Sequence, residues 1–212
     1  MPLGNLETIV DRVRATWEAK NTARDLALQR SRELIRLCAN AIRAAHRNDF
    51  AESGELLSAA RAAAATMTED LAVYPDLYYA GYSQDALKEY AEASITVRVV
   101  QGQDLPEPEE LGVEHPAYLN GLGEAACELR RYALDALRHG DIATAERMLA
   151  AMDEIYDSLI TVDFPEALTG GLRHTTDAVR GALERTRGDL TVAVRQQSLE
   201  EALKDLEQRL PS

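Results

Sequence analysis

Apolar positions along this chain recur at intervals of three and four residues almost throughout, the spacing of a single buried face on an α-helix. Val, Ile and Thr do not alternate with period two for more than a few residues, so strand signals are nearly absent. The pattern predicts an all-α fold. A long first helix is expected from Leu6 to Arg47, broken at most once, and a second from Phe50 to Val73, where Tyr74-Pro75-Asp76 interrupts. A third covers Ser83 to Val100, and a Pro/Gly-containing loop fills 101–116. Helices then run Ala117 to Arg138, Ile142 to Ile160 and Pro165 to Arg187, with a seventh in the C-terminal segment. Asp163-Phe164-Pro165 reads as a helix start with proline in the first turn, and Gly188-Asp189 as a stop.

Two segments echo each other. Ala41 to Phe50 and Ala133 to Ile142 both end an amphipathic helix at a residue that tolerates positive φ, Asn48 or Gly140. Asp49 and Asp141 then cap the next helix, and Asp49 with Glu52 spells a capping box. Helix–turn–helix units of this kind occur in tetratricopeptide adaptors, but these two are not tandem at the ~34-residue period. Two antiparallel hairpins in a bundle need the same turn chemistry for geometry alone.

At 212 residues and 46% hydrophobic, residues 1–212 suffice for one domain with a real core. No apolar run reaches the ~18 residues of a membrane span, and no tripartite signal opens the chain, so a cytoplasmic protein is expected. Cys38 and Cys127 lie inside helical patterns and make neither a disulfide framework nor a zinc site. Asp and Glu number 36 against 23 Lys and Arg, a net charge of −13, and the only lysines are Lys20, Lys88 and Lys204. An acid-rich, alanine-rich and lysine-poor surface suits molar salt, where the Debye length shrinks to ~3 Å, and suggests a halophilic source. Net acidity that marks habitat does not exclude nucleic acid as a partner.

Candidate chemistry rests on four glutamates. Glu89 and Glu92 are spaced i,i+3, Glu124 and Glu128 i,i+4, so each pair shares one helix face. Should those faces meet, hard oxygen ligands converge as a Mg²⁺ or Mn²⁺ site requires, and two such ions can run in-line phosphodiester hydrolysis. Solvated faces, or acids bonded to arginine, are the alternative. Arg32, Arg36, Arg43 and Arg47 fall within a ~60° arc of the first helix, and Arg173, Arg180 and Arg187 repeat at seven. These stripes suit phosphate, with Tyr79 or Tyr82 as stacking partners, and equally suit ion pairing with the abundant acids. Trp17 reads as a packing anchor at a core or subunit contact. His174, beside Arg173, is a weaker RNA candidate.

Taken in order, several segments resemble the translin family, specifically archaeal members close to translin-associated factor X. They are Glu89-Tyr90-Ala91-Glu92-Ala93, Pro108 to Val113, Tyr118 to Leu122, Cys127 to Arg131, Asp177 to Gly181 and Glu184 to Asp189. The resemblance spans about Arg32 to Leu210. It implies a seven-helix protomer of translin type, a closed homo-octamer, and binding of single-stranded RNA or DNA. It also implies Mg²⁺-dependent endoribonuclease activity, with Glu89, Glu92, Glu124 and Glu128 as the catalytic acids. The chain departs from the family in having Lys88 where glutamine is usual and Glu124 where aspartate is usual. It also lacks a cation between Tyr78 and Asp85. A translin-like shell that binds single strands without cutting them, or a tetratricopeptide-like adaptor, are the rival expectations.

Overall fold

The computed structural model describes residues 4–209, and every regular element among them is helical. Six long helices form the body: α1 (Leu6–His46), α2 (Phe50–Leu71), α4 (Gly81–Val100), α6 (His115–Arg138), α7 (Ile142–Leu159) and α9 (Leu172–Arg209). Three single-turn helices connect them: α3 (Pro75–Tyr78), α5 (Pro108–Leu111) and α8 (Glu166–Thr169). Proline opens α3 and α5, where its missing N–H costs nothing and its fixed φ is already helical.

The middle of the bundle is α4 and α6. α4 packs on α1 and α6, while α6 also carries α7 and α9. Every residue from Ala91 to Val97 is buried, so α4 is enclosed on all sides there and takes the polar Glu92, Ser94 and Thr96 into the interior with it. Leu34, Leu87, Leu129, Met148, Met152 and Val179 fill the core with side chains under 2% exposed. Each contributes roughly 1.5–3 kcal/mol of apolar transfer.

The two echoing turns are built alike. Asn48 takes φ 59° and Gly140 φ 76°, and the Asp49 and Asp141 amides donate to the carbonyls of Ala44 and Ala136. Asp49 then accepts from the Glu52 amide at 3.1 Å, and Asp141 from that of Thr144 at 3.0 Å. The Glu52 carboxylate turns instead to Arg47 at 2.5 Å, so the cap forms without its reciprocal arm.

The C-terminal third departs from the expected pair of helices. Pro165 starts a helix of one turn only, because Gly170 and Gly171 follow at φ 60° and 89°. α9 then runs unbroken through Gly188. A mid-helix glycine costs about 1 kcal/mol, and its neighbours outweigh that. Thr186 and Leu190 are buried, Arg187 binds Asp153 at 2.6 Å and Asp189 binds Arg130 at 2.9 Å. Two of the seven expected helices therefore collapse into one long helix and a turn.

Both ends of the described segment leave the bundle. Residues 4–19 and 195–209 are exposed throughout, with Leu6, Val10, Val13 and Trp17 on one side and Leu199, Leu203 and Leu206 on the other. Trp17, 69% exposed, is no core anchor.

Candidate metal centre

The site begins with a glycine. A Cβ placed on Gly121 would lie 2.8 Å from the Lys88 carbonyl oxygen and 2.9 Å from the Ala91 Cβ, so only glycine lets α6 touch the α4 backbone here. One turn further along α6, Glu124 reaches the face of α4 that carries Glu89 and Glu92. One carboxylate oxygen from each of these three residues lies within 4.8 Å of the other two. Glu128 lies outside that group. Its Oε2 is 2.7 Å from Nε2 of His46, a side chain of α1 that is only 6% exposed.

Burial and mutual repulsion set the charge of the cluster. Glu92 is 9% exposed, and burial, reinforced by Glu89, Glu124 and Glu128, pushes its carboxyl up to about 8. Burial also raises Glu89, against the opposing pull of Lys88. Glu128 goes the other way, held below the usual carboxylate range first by its hydrogen bond to His46. The Lys88 ammonium donates to Glu124 Oε1 at 2.6 Å and stands 4.0 Å from Glu89 Oε1. Burial works against that ammonium, but Glu124, Glu89 and Asp85 together outweigh it and raise its pKa. Glu92 has no ion-pair partner among the described residues. Three converging hard oxygens, that of Glu92 buried and those of Glu89 and Glu124 half-buried, with one lysine among them, suit Mg²⁺ or Mn²⁺. Cys38 and Cys127, near the same carboxylates, are raised by burial and stay thiols.

Sequence reasoning missed His46, which is 82 residues from Glu128 and carries no local signal. Lys88 was visible on the wheel, one turn from Glu92, but its reach across to Glu124 was not. Arg131, one turn from Glu128, adds a cation that helps lower that carboxyl.

The arginine stripes are exposed and largely engaged with local acceptors. Arg36 is bidentate to Glu33 at 2.6 and 3.1 Å, Arg43 bonds Asn40 at 2.8 Å and Arg47 bonds Glu52. Arg180 binds Glu184 at 3.2 Å. Arg32 has no ion pair among the described residues, nor has Arg173, which borders a cavity of about 610 Å³ with Phe164 and Asp177. Arg43 lies one turn before His46 on α1. Tyr79 is 63% exposed, whereas Tyr82 packs on the core with its hydroxyl buried and unpartnered.

A helical bundle with carboxylates gathered on its two central helices defines the class, and comparison with known proteins supplies the family. No family model matches the chain. An uncharacterized protein of Methanocaldococcus jannaschii is 29% identical over 186 residues, covering 87% of this chain and 82% of that protein. AfC3PO, in a crystal structure and in a complex with duplex RNA, is 31% and 32% identical to the present chain, with TM-scores of 0.81 and 0.77. Both alignments cover 88% of this chain and 97% of the other. Apo-NeC3PO shares the fold at TM-score 0.80 and 23% identity, over 87% of this chain and 96% of that one. The chain belongs to the translin (C3PO) family. Membership sets aside the tetratricopeptide-like adaptor, and no helix among the described residues is long and apolar enough to cross a membrane.

Proposed function

We propose that this chain is an RNA-binding endoribonuclease dependent on Mg²⁺ or Mn²⁺, of the factor X type within its family. The observation that carries the reading is the convergence of Glu89, Glu92 and Glu124, with Glu92 buried and the other two half-buried, within 4.8 Å of one another. A divalent ion bound there would lower the pKa of water and neutralise charge on a phosphodiester. The protein's own groups supply the rest. Glu89 and Glu92 present their oxygens from one face of α4, and Glu124 closes the group from α6. His46 fixes the rotamer of Glu128 beside them. No serine, cysteine or histidine nucleophile is required.

RNA enters by charge. AfC3PO has been solved with duplex RNA, and the same partner class is proposed here. Short unstructured single strands are the favoured substrate, with single-stranded DNA and duplex RNA as the comparisons to run. Arg131, beside Glu128, would hold phosphate at the carboxylates, with Arg32, Arg36, Arg43, Arg47, Arg173 and Arg180 along the helix faces and Tyr79 better exposed than Tyr82 for stacking. The unpartnered apolar residues at both chain ends support assembly of several copies, a closed octamer in this reading. A cytoplasmic setting and a halophilic origin belong to the same proposal.

One observation favours a second reading, a shell that binds single strands without cutting them. Glu124, already longer than the usual aspartate, is tied to Lys88 at 2.6 Å. Cleavage of a labelled RNA, with binding followed in parallel by fluorescence anisotropy, separates the two. Wild type that cuts while Glu92→Ala binds without cutting supports the nuclease; binding without cutting by both leaves the shell.

A further inference from the structure

Lys88 is one of three lysines in a chain with 23 cationic side chains, and it sits at the carboxylate cluster. Its position is built. The Lys88 carbonyl abuts Gly121, which pins the lysine backbone against α6 one turn before Glu124. From there the ammonium spans to Glu124 Oε1 at 2.6 Å and approaches Glu89 Oε1 at 4.0 Å, on a side chain only 22% exposed. A solvated lysine on a free helix face would not be held at that distance between two carboxylates.

We propose that Lys88 is the resident second cation of this centre, so that the cluster takes one divalent ion per chain rather than two. The inference rests on the carboxylate reading above and deepens it. Four carboxylates surround the site, but two are already committed: Glu124 to Lys88, and Glu128 to His46 at 2.7 Å. Glu89 and Glu92 remain, and their charge matches a single divalent ion, with the second oxygen of Glu124 left over as a shared ligand. A second divalent ion would need the Glu124 oxygen that the ammonium occupies and would meet a positive charge beside it. Glutamine at this position, which the resemblance makes the usual residue, has no charge and would leave that oxygen free. The arrangement trades a dissociable cation for a covalently attached one, which no chelator removes.

Titration of the full chain with Mn²⁺, counting free ion by electron paramagnetic resonance, tests this on wild type, Lys88→Gln, Lys88→Arg and Glu92→Gln. Wild type is expected to bind one Mn²⁺ per chain at the cluster. Lys88→Gln should gain a second ion, or bind the first about tenfold more tightly, and Lys88→Arg should keep the wild-type count. Should glutamine loosen the α4–α6 contact, Lys88→Met retains the apolar stem and removes only the ammonium. Equal numbers and affinities in wild type and both neutral variants overturn the proposal. Glu92→Gln distinguishes the levels: if it binds Mn²⁺ as wild type does, the ion lies elsewhere and the carboxylate reading itself has failed. If Glu92→Gln loses the ion while the neutral Lys88 variants match wild type, the centre stands and only the role of Lys88 falls. No Mn²⁺ bound by any of them overturns both.

Discussion

The two helices of the centre carry the same residue type in opposite conditions. On α4, Glu92 is buried without an ion pair and its carboxyl rises to about 8. On α6, Glu124 and Glu128 each have a partner within 2.7 Å, Lys88 and His46, and Glu128 is lowered. Four glutamates therefore do not make four equal ligands. The α6 half is satisfied from within the fold, while the α4 half stays electrostatically open. A structure that leaves one carboxylate buried and uncompensated stores a cost that a cation relieves.

The largest test of this asymmetry removes the open half. Glu92→Ala should lower RNA cleavage by roughly 10²–10³-fold or more, as loss of a key stabilising group does, with RNA affinity and helicity kept. Equal activity in wild type and variant would contradict the assignment. Stability reads the same carboxyl without any RNA. Its folded pKa near 8, against an ordinary 4.5, means that the folded state keeps a proton which the unfolded chain has lost. Metal-free stability should thus be highest below about 4.5 as far as this group goes, and fall as pH rises to about 8. In EDTA at alkaline pH, Glu92→Gln should exceed wild type by roughly 3 kcal/mol in urea denaturation, and saturating Mn²⁺ should erase the difference. On the satisfied half, His46→Ala should lower metal-free stability by roughly 1–3 kcal/mol in urea denaturation, because it leaves the Glu128 carboxylate without its partner. The smallest effect is expected at the rim. Arg43→Ala should lower the salt slope of RNA binding by about one and leave the cleavage rate of bound RNA unchanged.

What was legible in the chain was local. The turns at Asn48-Asp49 and Gly140-Asp141 formed as their residues demand, because positive φ and an aspartate cap are decided within a few bonds. The spacing of Glu89 with Glu92, and of Glu124 with Glu128, likewise set each pair on one face. What decided the centre was tertiary. Gly121 reads as an undistinguished helical glycine until α4 is laid against it, and His46 meets Glu128 only because α1 returns past α6. Gly188 misled for the same reason: buried Thr186 and Leu190 hold α9 straight through a residue that locally favours a stop. The arginine stripes show the reverse. Their periodicity was correct, but nearby acids occupy Arg36, Arg47 and Arg180.

In the proposed function the open carboxylates hold a divalent ion with which the protein cuts RNA. Its most direct test is cleavage of a labelled, unstructured RNA by wild type in high KCl, with Mn²⁺ titrated from zero and EDTA as the end point. Products should appear only with Mn²⁺ and vanish on chelation. RNA that is bound yet intact at every Mn²⁺ concentration would contradict that function.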